Sequence, residues 1–454
     1  MLKIKNKIPS ALTIGGKIVE RIKMRNEVVW EKVQPEYFYI ESLGDGNTIS
    51  VVNVVNESSG ISHTPTLEYS TDKNIWNTIT FDTSLGTHTT KLPVKLNTGG
   101  KMYFRNDTGK FSSSNNKYIS FLSSVASNVG GDIRTLSNYL DVYNETTPQS
   151  YMFYRLFYIN DYIVDASNLR LSYTTLAKSC YYSMFEGCTS LNTAPKLPDT
   201  ILAPNCYDSM FSGCTSLTTA PKLPATILAN YCYNNMFSGC TKLTTAPKLP
   251  ATTLASYCYN GMFRDCTSLT TAPELPVTTL ANGCYSNMFR DCTSLTTAPE
   301  LPATTLESSC YSSMFFGCTS LTTAPTELPA TTLASYCYDN MFRDCTSLTT
   351  APTLPATTLA SSCYLYMFYR CTALTSAPTL PATTLAESCY KYIFYRCENL
   401  NSITVYADDI SATNCTTDWL YGVASSGTFH NLGSATYTTD STSGIPTGWT
   451  EVKN

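Results

Sequence analysis

Residues 284–309 read CYSNMFRDCTSLTTAPELPATTLESS, and near-identical units of 26 residues lie on both sides of this stretch. The first cysteine of each unit falls at positions 180, 206, 232, 258, 284, 310, 337, 363, 389 and 415. The single interval of 27 residues arises where Thr326-Glu327 replaces one residue. A second cysteine follows each of the first nine by eight positions. Such self-similarity predicts a repeat architecture whose units stack on one another.

The pattern inside the unit predicts its conformation. Residues 284–292 carry apolar side chains at i, i+1, i+4, i+5 and i+8, which indicates one face of a short helix. Residues 295–299 are typical of a short strand ended by proline, and Leu400, Ile403 and Val405 show the same strand pattern without a proline. We therefore expect a mixed, mainly β fold, with N-terminal β-modules followed by a solenoid. Each repeat should contribute one parallel strand and one short helix.

Both ends of the array lose the consensus, as capping repeats do. Met152 and Asn160 stand at the two upstream cysteine positions, and Trp419 and Val423 replace the methionine and the second cysteine downstream. The predicted divisions are a small β anchoring module (1–35), a β-sandwich of immunoglobulin-like type (36–125), an N-terminal cap with a degenerate repeat (126–179), nine repeats (180–414) and a C-terminal cap (415–454).

The first 35 residues differ from the rest in charge. They hold eight Lys/Arg against three Asp/Glu, net +5, whereas the whole chain carries −4. Two or three short strands are expected around Gly15-Gly16. Residues 36–125 hold strand-like runs separated by glycine-containing turns, which is typical of a sandwich.

The repeat unit, with its F-x-x-C-T-x-L-T and L-P segments, resembles the BspA-type (treponemal) leucine-rich repeats of gut-bacterial surface proteins, over about residues 118–454. The tail from Trp419 to Trp449 resembles the end of that group, although the unit is longer than is usual there. Residues 1–33 resemble a small N-terminal module on appendages of phages that infect gut bacteria. These resemblances imply a non-enzymatic, head or tail fibre-like protein on the virion surface. The alternative is an adhesin on a bacterial cell surface.

The start of the chain lacks the continuous apolar core of a secretory signal, and no stretch approaches the ~20 apolar residues of a membrane span. We expect no membrane insertion. Unless a signal peptide has been removed, we expect the protein to leave the cell by another route, such as release on a virus particle. The expected partners are a virion or cell envelope at the N-terminus and a cell-surface glycan or protein at the repeats. A homo-oligomer is left open.

The 19 cysteines could form disulfides, hold a metal or pack as core. On a helix, positions i and i+8 lie about 12 Å apart, beyond disulfide reach. Stacked units would give each thiol equivalent neighbours above and below, with no preferred partner. Close pairs such as C-x2-C, which zinc sites use, are absent. We expect buried, reduced thiols that act as small apolar residues, with disulfides and metal as the less favoured alternatives.

At two positions of the unit the residue varies between repeats, while the apolar residues stay fixed, as in a modular binding surface. Equivalent residues of successive repeats are called a column. One of the two columns follows Ala-Pro and the other follows Met-Phe, where arginine precedes aspartate. Like charges in adjacent coils cannot be buried without large cost, so the first column should be exposed. Neutral variation on a solvated face is the alternative. The predicted ligand-binding residues are Lys196, Lys222, Lys248, Glu274, Glu300, Arg264, Arg290 and Arg343.

A further column runs from Tyr181 to Tyr390 and has two interpretations. It is either a sugar-binding stripe or a stack of rings at the core margin with solvated hydroxyls. Its position beside a buried cysteine favours the stack. The sequence gives no sign of catalysis or nucleic-acid binding. His63, His88 and His430 show no grouping with serine and aspartate, no glycine-rich phosphate loop occurs, and the net charge is negative. We expect no enzyme and no cofactor, and an enzyme with an accessory repeat rod is the least favoured hypothesis.

Overall fold

A computed structural model of the chain describes residues 12–14, 17–19, 21–24, 27–31, 35–56, 66–82, 84–108, 111–140, 142, 145–440 and 442–453. These residues form mainly β structure with almost no helix. The single helix among them is α1 (Thr135–Asn138), of four residues. No helix in this part of the chain is long and apolar enough to cross a membrane.

Two antiparallel hairpins lie near the N-terminus. Strand β1 (Leu12–Ile14) pairs with β2 (Lys17–Val19), and β3 (Arg21–Met24) pairs with β4 (Glu27–Glu31). Short strands were expected in this segment. Its role as an anchor stays a prediction.

Two sheets follow the hairpins. Their strands are β5 (Phe38–Ser42), β6 (Asn47–Val55), β7 (Glu68–Ser70), β8 (Asn77–Thr78), β9 (Gly86–Leu96), β10 (Lys101–Arg105), β11 (Lys117–Ser123), β12 (Ser127–Asp132) and β13 (Ile163–Arg170). The first sheet has the order β13-β12-β5-β10-β7-β8, and the second has the order β11-β6-β9. Phe38 and Phe104 of the first sheet contact Phe121 of the second, with ring centroids 5.5 and 4.7 Å apart. The two sheets therefore share an aromatic core.

The core continues from the sheets into the repeats without a break. Strand β12 pairs in parallel with β13, and Asp165 of β13 bridges in parallel to Thr193 of the first repeat. The Phe157 ring lies 6.4 Å from Phe121 and 5.0 Å from Phe185. The two sheets thus cover the N-terminal end of the repeat stack, where an exposed apolar end would otherwise face water.

Successive repeats stack in parallel, as predicted. Thr219 bridges to Thr245, and Thr245 bridges to Thr271. The predicted strand in every repeat is wrong, because the central repeats contribute isolated bridges only. An Ala-Pro pair follows each of these three threonines, and proline has no N–H to extend the ladder. Where this proline is missing, the chain forms the regular strand β14 (Ser402–Val405).

The predicted short helix is also wrong: the Cys-Tyr to Cys segment, called the turn segment below, is a chain of turns. Met210 N–H donates to Tyr207 O at 3.2 Å, three residues back, whereas the next amide, Phe211 N–H, donates to Met236 O of the following repeat at 2.9 Å. This alternation continues along the segment. A helix would use every amide internally and leave none to join the repeats.

Positive φ angles recur at every fourth residue, as at Asn205 (57°), which directly precedes the turn segment, and at Ser209 (55°) and Gly213 (72°) within it. The apolar side chains therefore repeat with a period of four. Over only nine residues, this period is close enough to 3.6 to imitate the face of a helix.

Glycine at such a position should stabilise the protein relative to alanine. Ser313 has φ +55° and donates its N–H to Asp339 O at 2.7 Å. We expect Ser313→Gly to exceed Ser313→Ala in free energy of unfolding by about 1 kcal/mol, because the left-handed conformation penalises a Cβ. Urea denaturation measures the difference.

Ser212 is the matched control, since it lies in another turn segment and its φ is not positive. There the alanine variant should be the more stable of the two. The same order at both positions would contradict the turn geometry, because a helix favours alanine throughout.

All 19 cysteines are buried, as expected, and the structure pairs none of them in a disulfide. Those of the second column donate to the preceding repeat, as Cys214 Sγ does to Phe185 O at 3.1 Å. Burial raises the pKa of the Cys240 thiol to about 12, which suppresses the reactive thiolate. Within the described residues, no group of three His, Cys, Asp or Glu could hold a metal ion.

Alkylation should therefore separate folded from unfolded protein sharply. We expect almost no cysteine to react in the native state and all 19 to react in denaturant without reductant. Mass spectrometry after labelling counts the modified residues. Labelling that stays low in denaturant, and rises only after reduction, would show disulfides and overturn this prediction.

The C-terminal end is closed by a small parallel sheet of β14, β15 (Gly427–Asn431) and β16 (Trp449–Lys453). Trp419 is buried beneath it and donates its indole N–H to Gly444 O at 2.9 Å. The substitution of tryptophan for the consensus methionine thus fills the space at the end of the stack.

Candidate ligand-binding surface

The predicted column after Ala-Pro lies on the surface. Its members are exposed, as expected from their charge: Lys196, Lys222, Lys248, Glu274 and Glu300. Among the described residues none of them forms an ion pair, and Glu300 instead accepts a hydrogen bond from the Thr326 hydroxyl at 3.0 Å. Lysines occupy the N-terminal part of this charged column and glutamates its middle. Ligand binding by these residues stays a prediction.

The column after Met-Phe forms a continuous stack of planar groups. The Phe316 ring lies between two guanidinium groups, 4.4 Å from that of Arg290 and 5.2 Å from that of Arg343. The Arg343 guanidinium also lies 4.5 Å from the Tyr369 ring. Tyr369, Tyr395 and Tyr421 then continue with ring centroids 4.9 Å apart. We call these six residues the planar column: Arg290, Phe316, Arg343, Tyr369, Tyr395 and Tyr421.

Acidic neighbours hold the arginines in place. Arg264 and Arg290 each pair with the aspartate that follows them, at 3.3 Å. Asp344 is shared, because Arg343 lies 3.5 Å and Arg370 lies 3.3 Å from its carboxylate. One carboxylate thus offsets two guanidinium groups at this level of the surface.

Two further tyrosines widen the planar column at its C-terminal part. Tyr366 and Tyr392 stack at 4.7 Å, and each meets a planar-column tyrosine edge to face at 5.6 Å. The sequence interpretation selected Arg264, Arg290 and Arg343 but none of these tyrosines. The signal was present, since tyrosine replaces serine or asparagine at 366 and 392 in an otherwise constant frame.

The tyrosine column from Tyr181 to Tyr390 is interior and not a binding stripe. Its rings stack as predicted, with Tyr207 and Tyr233 5.8 Å apart, but the side chains are at most 2% exposed. The expected solvated hydroxyls are therefore wrong. The Tyr259 hydroxyl, for example, is buried with no hydrogen-bond partner among the described residues.

A half-buried polar ladder runs beside that tyrosine column. Asn234 donates to Asp208 at 3.1 Å, and Asn260 donates to Asn234 at 2.7 Å. Three repeats further on, Asp339 stands in the same column and accepts from Asn340 at 2.6 Å. Burial raises the pKa of Asp339 to about 6 and also raises the pKa of Asp208.

The structure brings together one Ser-His-Asp group, which the sequence interpretation had not anticipated. His88 Nδ1 lies 3.4 Å from Asp82, and His88 Nε2 lies 3.3 Å from Ser84 Oγ. The Ser84 hydroxyl, however, donates to Asp82 at 2.7 Å, and His88 Nε2 also lies 3.0 Å from Ser84 O. The serine proton therefore points to the aspartate and not to the histidine. This geometry is that of an exposed turn and not of an activated nucleophile.

The charged column and the planar column belong to different segments of the repeat. No hydrogen bond, ion pair or ring contact among the described residues joins them. The predicted residues thus divide into two surfaces, and only the planar column is held together by contacts between its own side chains.

The comparisons with known proteins concern the repeats. The model of a family described as BspA type leucine rich repeat region matches six copies, over residues 150–296, 257–363 and 311–416. These matches together cover more than half of the 454 residues. No curated protein and no solved structure matches the chain.

Proposed function

Because the chain belongs to the BspA-type leucine-rich repeat family, we propose that it is a non-enzymatic, adhesin-like protein displayed on a surface. Its repeats form one continuous solenoid, and the planar column is the part that contacts a ligand on a target cell. Binding by shape and charge needs no cofactor.

The contrast between interior and surface positions carries this proposal. The buried residues of the unit hardly change from repeat to repeat. At the position of the planar column, by contrast, the residue changes along the chain from Glu186 to serine, then to arginine or phenylalanine, and finally to tyrosine. Tyrosine and arginine are the residue types most enriched among the residues that dominate binding energy at interfaces. Their mutual stacking fixes their rotamers, which lowers the entropic cost of binding.

Cell binding by purified protein tests the proposal. We expect the triple variant Tyr369→Ala, Tyr395→Ala, Tyr421→Ala to bind at least about ten-fold more weakly, since aromatic anchors each contribute 1 kcal/mol or more. The control variant, Lys196→Gln, Lys222→Gln, Lys248→Gln, should bind nearly normally. If only the lysine variant lost binding, the charged column and not the planar column would be the binding site. If both variants bound normally, the repeats would act only as a structural spacer.

A second proposal concerns the particle or cell on which the protein is displayed, and it rests on the N-terminal residues. Residues 1–35 combine net charge +5 with two small hairpins. We propose that they attach the protein to a phage particle, with the bacterial cell envelope as the alternative carrier. Deletion of residues 1–35 should leave folded protein that no longer copurifies with particles. Particles that retain the truncated protein would overturn the anchoring role.

A further inference from the structure

We infer that the C-terminal part of the planar column, together with the side chains beside it, binds a linear acidic polysaccharide that lies along the axis of the repeat stack. This inference names the ligand class of the proposed function and rests on it. The binding strip consists of Arg343, Tyr366, Tyr369, Arg370, Tyr392, Tyr395, Arg396 and Tyr421.

The first support is the way in which the tyrosines are presented. Tyr369 is covered on one face by Arg343 and on the other by Tyr395, and Tyr395 is covered by Tyr369 and Tyr421. Their faces are therefore unavailable for stacking against a sugar ring or an apolar side chain. Their edges and hydroxyls remain, which suits a ligand rich in hydroxyl groups and acceptors.

The second support is periodicity. Equivalent rings recur every 4.7–4.9 Å along the strip. This advance is close to the length of one pyranose unit in an extended chain. A linear polysaccharide parallel to the stack would therefore meet the same set of groups at each successive sugar. The surface of a protein partner without internal repeats has no such translation, so periodicity favours the polymer.

The third support is charge. The turn segments 363–371 and 389–397 contain Arg370, Lys391 and Arg396 and no acidic residue, and Glu387 and Glu398 flank the second of them. Arg370 and Arg396 are exposed, and Asp344 is already shared by two arginines. Asp418, one level further on, lies near Tyr392. Guanidinium groups at successive levels match carboxylate or sulfate groups on successive sugars, with which arginine forms its strongest hydrogen bonds.

Calorimetric titration of the full chain with two pairs of polymers tests the inference. Polygalacturonate is compared with its methyl ester, and dextran sulfate with dextran, so that charge changes while the backbone stays. We expect at least one acidic polymer to bind, both neutral forms to fail, and added salt to weaken binding. Affinity should rise with oligomer length until the chain spans the levels from Arg343 to Tyr421, and then level off.

Two variants locate the site. Arg370→Gln with Arg396→Gln should weaken binding at least about ten-fold, because each removes a charge-assisted hydrogen bond. Lys222→Gln with Lys248→Gln removes the same net charge from the charged column and should change little. Both pairs are exposed, so folding is retained, as melting temperature verifies.

Three results would overturn the inference. The first is that neutral and acidic polymers bind equally, or that no polymer binds. The second is an equal loss of affinity in both double variants, and the third is binding of poly-L-glutamate with the same affinity and length dependence. The last result would indicate an acidic protein segment as the ligand. Loss of cell binding in the triple tyrosine variant, together with no polysaccharide binding, would refute the ligand class and leave the proposed function intact.

Discussion

Phe237→Ala should destabilise the protein by about 3–5 kcal/mol, the usual cost of removing a fully buried aromatic side chain. Phe237 is completely buried, and its ring lies 5.7 Å from Phe211 and 5.8 Å from Phe263. The cavity would weaken two interfaces at once, because each repeat is stabilised by its neighbours. Urea denaturation followed by circular dichroism measures the loss.

The position of Phe237 in the middle of the stack adds a second expected result. Hydrogen exchange should accelerate most in the repeats on either side of residue 237 and least in the sheets of residues 35–140. Phe316→Ala is the control, since this half-buried ring contributes mainly surface contacts with Arg290 and Arg343. Its cost should be about 1 kcal/mol. Equal losses for the two variants would contradict the stacked core.

Asp339→Asn should stabilise the protein at neutral pH and have no effect at low pH. The pKa of this carboxyl is raised from 3.8 to about 6, chiefly by burial. Below about pH 3 the group is protonated in both folded and unfolded chains and costs nothing. As the pH rises to 6, the unfolded chain ionises first, so stability is lost and remains lost above pH 6. The raised pKa corresponds to a cost of roughly 3 kcal/mol.

Asparagine fits this position, because Asn234 and Asn260 occupy it in other repeats and donate along the same ladder. We expect a gain of roughly 1–3 kcal/mol at pH 7.5 and almost none at about pH 3, measured by urea denaturation at both values. Asp344→Asn is the matched control. This half-exposed group pairs with two arginines, so its loss should be neutral or slightly destabilising at pH 7.5. Stabilisation by both variants would show that net charge, not burial, is responsible.

The sequence predicted the features that depend on which residues are apolar. The spacing of the cysteines indicated the repeat length and the parallel stacking, and the constant apolar residues of the unit are the buried ones. The same reasoning placed the thiols in the core and the column of Lys196 to Glu300 in solvent. These results follow from burial alone, because repetition forces equivalent residues into equivalent environments.

The helix was mispredicted because the decisive hydrogen bonds lie between repeats. Asparagine, serine and glycine at every fourth position, as at 205, 209 and 213, were a signal for left-handed backbone. A local pattern cannot show that alternate amides find carbonyl partners 25 residues away, as Phe211 N–H does with Met236 O. Likewise, the contact of Asp82, Ser84 and His88 depends on a turn at the edge of a sheet.

The sequence by itself thus determined the period of this protein, its buried columns and its exposed charges, because hydrophobic burial acts on each residue type wherever it recurs. Only the tertiary structure decided how the backbone of the turn segment is satisfied, how the two sheets close the stack, and that Arg343 and Tyr369 lie 4.5 Å apart. Residues 26 positions apart become neighbours only when the chain has coiled once, and the planar column exists through those contacts alone.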